Sequence, residues 1–162
     1  MRTSLTIAAV TTAAVAGVVA AGLVSAGADT PSGHNHHHAV RHLNVVERAV
    51  SDTTTDTGAS GDSVGDLLTF ANPVYDARNV RRVGMDNGSC IRTVVGAAYE
   101  CSWTLTLSGG SLVVEGPFYD TRDSVLAITG GTGRFATARG DMTLHARNAA
   151  GTAYDFRYRI VG

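Results

Sequence analysis

Ala153-Tyr154-Asp155-Phe156-Arg157-Tyr158-Arg159-Ile160-Val161 alternates along its whole length. Tyr154, Phe156, Tyr158 and Ile160 fall on one face of an extended chain, and Asp155, Arg157 and Arg159 on the other. Successive side chains of a strand point to opposite sides, so this period of two predicts a strand with one greasy and one charged surface. That is how the wall of a small β-barrel reads when its interior is apolar.

Working back from this strand, short β-branched and aromatic runs recur, each bounded by Gly, Asn, Asp or Pro, and none carries a helical period. They predict strands over 43–50, 66–75, 89–93, 98–107, 111–115, 124–129, 140–147 and 153–161. Val95-Gly96, Gly109-Gly110 and the segment 148–151 read as hairpin turns. Eight short strands joined by tight turns predict an all-β, eight-stranded antiparallel β-barrel, with a sandwich as the other arrangement of the same elements. Eight strands enclose side chains plus room for one small ligand.

The barrel is preceded by different material. Arg2 is followed by an uncharged, mostly apolar run from Leu5 to Val24, which ends at Ala26-Gly27-Ala28. A small-x-small site after such a run predicts a secretory signal peptide over 1–28, with an uncleaved anchor as the alternative. Export makes the mature chain secreted, with no stable membrane anchor after cleavage. Residues 29–42 are polar and hold His34, His36, His37, His38 and His42. They read as a flexible linker, and a divalent metal held on imidazole is the competing use of the same residues. The barrel domain is then expected over 43–162.

Composition excludes several functions. The 162 residues carry thirteen basic and fourteen acidic side chains, for a net charge of −1. Every basic residue is Arg, so lysine Schiff-base chemistry is excluded, and no cationic footprint for nucleic acid is present. Two cysteines cannot build a four-thiolate zinc site or an iron–sulfur cluster. No cofactor or metal is called for. Gly61-Asp62-Ser63-Val64-Gly65 has the spacing of a nucleophile elbow, but a strand rather than a helix is expected after it. Thr129-Gly130-Gly131-Thr132-Gly133 has dinucleotide-loop spacing, but the 29 residues after it read as a hairpin, not as a parallel strand with a crossover helix. Its glycines read as turn positions of positive φ. Asn87-Gly88-Ser89 is both a glycosylation sequon and an Asn-Gly turn, and the turn is preferred. With the hairpin centred on Val95-Gly96, Cys90 and Cys101 stand opposite one another on paired strands. An exported chain would oxidise such a pair, closing a short loop for a stabilisation of roughly 3 kcal/mol. A reduced pocket thiol is the alternative.

Several blocks, in order, resemble one family. Gly65-Asp66-Leu67-Leu68-Thr69-Phe70-Ala71-Asn72-Pro73-Val74-Tyr75-Asp76 is similar to the G-D-L-x-x-F-x-N-x-x-Y-D segment of plant allene oxide cyclases. Val83 to Cys90, Glu115 to Tyr119 and Asp123 to Gly133 resemble further segments of the same proteins. The last block, with Phe135 and Ala138-Arg139-Gly140, also resembles dirigent proteins. The likeness runs from about Glu47 to Ile160. It implies an eight-stranded barrel with a mostly apolar cavity, a possible homotrimer, and a hydrophobic small-molecule ligand. It implies an isomerase that cyclises its substrate stereoselectively, with a non-catalytic dirigent-like guide or carrier as the alternative.

Residue by residue, the family glutamate that steadies developing positive charge corresponds to Glu47, its water-holding asparagine to Asn72, and its pocket cysteine to Cys90. Glu47 sits among Val45, Val46 and Val50, so it either enters the barrel as a costly buried carboxylate or turns outward to an Arg. Two departures weaken the water site: Ala49 replaces an Asn and Asp56 falls where the family has Pro. The dirigent likeness singles out Asp123 and Arg139 as pocket residues, or else as a rim ion pair. Asp66 and Asp76 read as turn caps. Trp103, Phe156 and Tyr158 are the expected apolar walls, unless they fill the bore outright.

Overall fold

The computed structural model describes residues 39–162, so the predicted leader and all of the His-rich run except His42 lie outside the described residues. Nine strands follow in order: β1 Val40–Arg48, β2 Thr53–Thr55, β3 Leu67–Asp76, β4 Arg82–Val94, β5 Ala98–Leu107, β6 Gly110–Tyr119, β7 Ser124–Gly131, β8 Arg139–Ala146 and β9 Ala153–Val161. A single 3₁₀ turn, Gly133–Phe135, links β7 to β8. All ladders are antiparallel, each strand from β3 onward pairs with the next, and β9 pairs with β1. The pairing of β1 with β3, Glu47 opposite Val74, closes the sheet into a barrel.

β2 is the extra strand, and it explains how the barrel closes. β1 occupies the edge of β3 at residues 74–76 and β2 occupies the same edge at 67–69. Together they act as one broken strand. Where the break falls, the Ser51 hydroxyl takes over the ladder: it donates to the Ala71 carbonyl at 2.9 Å and accepts from the Ala71 N–H at 2.8 Å. The sequence pattern does not reveal β2, because its three threonines are all exposed and show no alternation.

The interior is built by the expected period. On β9, Phe156, Tyr158 and Ile160 are buried while Arg157 and Arg159 are exposed. Trp103 and Leu105 from β5, Leu112 and Val114 from β6, Leu126 and Ile128 from β7, and Met142 and Leu144 from β8 complete one continuous core. Trp103, Phe156 and Tyr158 pack as a chain of tilted and edge-on rings, with centroids 5.6 and 6.4 Å apart.

Four expectations are corrected. β1 begins at Val40, earlier than 43, and ends at Arg48 rather than Val50. β4 is thirteen residues long and starts at Arg82, so Asn87-Gly88 lies within a strand and is not a turn. Gly84, Asp86 and Gly88 are poor strand formers, but β3 and β5 flank this segment on both sides and impose the pleat. A Cβ on Gly88 would stand 2.2 Å from Trp103 Cβ, so glycine here is a requirement of close packing. In the 130–133 block only Gly133 has positive φ, +56°. Gly131 instead admits the close approach of the Ser111 and Phe135 carbonyls. The hairpin turn before β6 is Ser108-Gly109, one residue earlier than expected.

Candidate functional site

The break between β1 and β2 makes the site. Chain leaving β1 at Ala49 loses its ladder partners, and Asn72 of β3 replaces them. Its Oδ1 accepts from the Val50 and Ser51 N–H groups, both at 3.0 Å, and from the Ser51 hydroxyl. Its Nδ2 donates to Glu47 Oε1 at 2.5 Å and to Asp52 Oδ1 at 2.7 Å. One amide with no exposed surface thus holds the outgoing chain and aims two carboxyl groups. Glu47 points into the barrel, 5 % exposed, and the outward alternative does not occur.

Behind it lies a carboxyl that the sequence pattern alone did not single out. Asp86 of β4 is opposite Asn72 in the register and is completely buried; its oxygens make no well-aligned hydrogen bond among the described residues, and the backbone N–H groups of Asp86 and Asn72 only weakly favour its charged form. A signal for it existed: Asp86 is in phase with Cys90 on one strand, so if Cys90 faces inward, Asp86 does too. Asp52 was missed because it belongs to an irregular segment, where period gives no direction. Asp56, the residue a gap-free count placed at the water site, instead accepts from the Gly61 N–H in the following loop.

Burial dominates the electrostatics. Glu47 is pushed up to about 7, chiefly by desolvation, with the Asn72 bond pulling the other way and the Asp52 charge adding to the rise. Asp86 is pushed up to about 9, again by desolvation first and then by the Glu47 charge. The folded protein therefore binds protons that the unfolded chain, with ordinary carboxyl values, releases. Wherever the native state holds more protons, stability falls as pH rises. Melting temperature is expected to decline from about pH 5 to about pH 9, and Asp86→Asn to flatten the decline. Thermal scans across this range check it, and a flat or rising profile in the parent protein contradicts it.

Glu47 lines an open space of about 60 Å³ together with Leu68, Phe70, Trp103, Phe118 and Tyr154. The Cys90–Cys101 disulfide forms part of its wall, so Cys90 contributes packing and offers no thiol. Phe156 also lines it, whereas Tyr158 lies deeper and does not. Phe118, Leu144 and Tyr154 are shared with a wider groove of about 410 Å³ at the barrel end, between the β6–β7 and β8–β9 loops. Asp123 stands there, paired with His145 at 2.7 Å. Arg139 begins β8, whereas His145 is near its end, so Asp123 and Arg139 sit at opposite ends of the barrel. Among the described residues, Arg139 donates to the Ala138 carbonyl alone. Asp66 accepts from Thr57 and Ser63, and Asp76 from Val80, so both serve turns. Ser63 of the elbow-like motif is spent on Asp66. Among the described residues, no three His, Cys, Asp or Glu side chains are grouped to hold a metal ion.

The arrangement offers a carboxyl of tunable charge beside a mostly apolar open space, held by one amide. Such a group can stabilise developing positive charge or move a proton.

The comparisons with known proteins agree with this architecture. The sequence profile of the allene oxide cyclase family matches residues 36–149. Among solved structures, a pyocyanin demethylase superposes with TM-score 0.63 and 25% identity, over 72% of this chain and 98% of its own. A pterocarpan synthase dirigent protein gives TM-score 0.61 and 18% identity, over 76% and 94%. The Diels–Alderase AbmU from Streptomyces koyangensis gives 0.60 and 12%, over 78% and 70%. The last two speak for the fold alone. With a profile match across most of the barrel, the chain belongs to the allene oxide cyclase family.

Proposed function

We propose that this barrel is an exported isomerase that binds a small, mostly apolar molecule at the cavity mouth and directs its ring closure. The observation that carries the reading is Glu47: a carboxyl buried in an apolar wall, fixed by Asn72, on the surface of an open space. Burying it costs stability that the Asn72 bond only partly offsets, so a functional use explains its presence. When ionised, it stabilises a delocalised cation forming beside it, in surroundings where charge interactions are strong. The aromatic walls select one conformer of a flexible substrate, which is where stereochemistry is decided. Opening of an allene oxide and closure of the resulting cation needs no more than this.

The family membership supports the reaction class. The space beside Glu47 is small, and the Trp103 and Phe156 rings form its inner wall. The body of the substrate then lies toward Leu68, Phe70 and Phe118, with its reacting end inward. The disulfide suits an oxidising compartment outside the cytosol.

The test is a chiral assay on the purified domain, with an unstable allene oxide generated in situ and the cyclopentenone resolved by enantiomer. Enrichment of one enantiomer is expected, falling at least about tenfold in Glu47→Gln, the loss associated with one positioned charged group. Racemic product from both proteins would reject the cyclase reading.

A further inference from the structure

Two open spaces meet at one set of side chains. The space beside Glu47 is about 60 Å³, and the groove at the barrel end is about 410 Å³. Phe118 of β6, Leu144 of β8 and Tyr154 of β9 line both, so they are the partition between them. Phe118 and Tyr154 pack edge to face, with centroids 6.1 Å apart and planes at 79°. Neither ring is fully buried, as expected of side chains with open space on either side.

Register fixes where the Tyr154 ring stands. Tyr154 is directly opposite Glu47 on β1. Opposed residues of antiparallel strands share a face, so the phenol enters the barrel beside the Glu47 carboxyl. Its hydroxyl end reaches the β8–β9 turn, where a Cβ on Gly151 would stand 2.7 Å from that oxygen. Gly151 also has φ of +63°, so both the turn and the ring above it call for glycine. The Tyr154 ring thus spans the mouth of the inner space, from the β1 side to the turn.

The two sides of the partition differ in kind. Apart from Glu47 and Asp52, the inner side is hydrocarbon, aromatic ring and disulfide, and it is too small for a ring-shaped guest. The groove is wide enough for one, and Thr121, Arg122, His145 and Asn148 give it a polar rim. Arg122 covers the Tyr119 ring at 3.7 Å, which puts aromatic contact with a guest on Phe118 and Tyr154. Aromatic rings pair well edge to face or offset, so these two side chains suit a planar guest.

We infer that Phe118 and Tyr154 form a selective collar: the groove seats the planar ring of an aromatic ligand that bears a polar group, and only an unbranched arm of that ligand passes inward to Glu47. Branching where the arm leaves the ring is what the collar excludes. The collar rests on the reading of the Glu47 space as a ligand site, but its test measures binding and not turnover.

The probes are 4-butylphenol and 4-tert-butylphenol, isomers with the same ring and hydroxyl that differ only in branching of the arm. Each methylene that enters the inner space is worth about fourfold in affinity, so the straight-chain isomer is expected to bind about tenfold more tightly by calorimetry. Emission of Trp103, the one tryptophan of the chain and a wall of the inner space, should shift with 4-butylphenol and not with its isomer. Tyr154→Ala should bring the two affinities within about twofold of each other, by raising that of the branched phenol. Phe118→Leu opens the same collar from another strand and should act in the same direction, which keeps the test available if the first variant does not fold. Equal affinity of the parent protein for both phenols, a Trp103 emission that neither phenol moves, or a preference that survives in the folded variants would each overturn the collar while leaving the ligand cavity in place. Binding of neither phenol would overturn the collar and the ligand-cavity reading together.

Discussion

Asn72→Ala should lower the stability of the barrel by about 4 kcal/mol, near the top of the range for a single side chain. The deletion removes five hydrogen bonds at once: three that hold Val50 and Ser51 where β1 breaks, and two that fix Glu47 and Asp52. A typical bond contributes about 1 kcal/mol, but leaving a buried acceptor without a donor costs up to about 3 kcal/mol more. Glu47 becomes that acceptor. With the Asn72 donor gone, the one influence holding its pKa down disappears, so the carboxyl should protonate at still higher pH. For a domain of this size the loss corresponds to a fall of about 15 °C in melting temperature. Asn72→Asp sharpens the test. A protonated Asp can mimic the amide, but an ionised one joins Glu47, Asp52 and Asp86. The variant should therefore approach parental stability at acid pH and lose it steeply as pH rises. A loss below about 1 kcal/mol for Asn72→Ala would mean that the five bonds are replaced easily by water.

Removing the Cys90–Cys101 disulfide is expected to cost about 3 kcal/mol. The two residues are eleven apart in sequence, so the bridge closes a short loop, and the gain comes chiefly from restricting the unfolded chain. Both sulfurs are buried against the cavity. Cys90→Ala with Cys101→Ala should therefore also loosen the wall beside Trp103. Chemical unfolding of the oxidised, reduced and doubly substituted proteins separates the two contributions. Reduction alone reports the constraint, and the further drop in the double variant reports lost packing. Identical midpoints for the oxidised and reduced proteins would show that β4 and β5 are held by their ladder alone.

Much of the fold is legible in residue order. β5, β7 and β9 announce themselves because each buries one face, and alternation is the direct imprint of that burial on the sequence. The opposition of Cys90 and Cys101 follows from a hairpin count, since antiparallel register is arithmetic once the turn is placed. β2 and the first half of β4 are hidden for the opposite reason. Thr53–Thr55 bury nothing, and Gly84-Met85-Asp86-Asn87-Gly88 lacks the residues that favour strands on their own. Both segments are extended because neighbouring strands need partners for their backbone groups.

The same division runs through the site. Residue order determined that Glu47 and Asn72 belong to apolar strands, and the family likeness marked them as a pair. It left Glu47 free to face either way, because a carboxyl between valines satisfies a strand pattern in both orientations. Closure of the barrel decided that question by bringing β1 onto β3, where Asn72 supplies the donor that makes burial tolerable. Glu47, Asn72 and Asp86 are far apart in sequence and come from three strands, so only the tertiary structure places them together. Hydrophobic period is a local property that one chain segment carries by itself. A converging polar cluster arises when distant segments share one low-dielectric space.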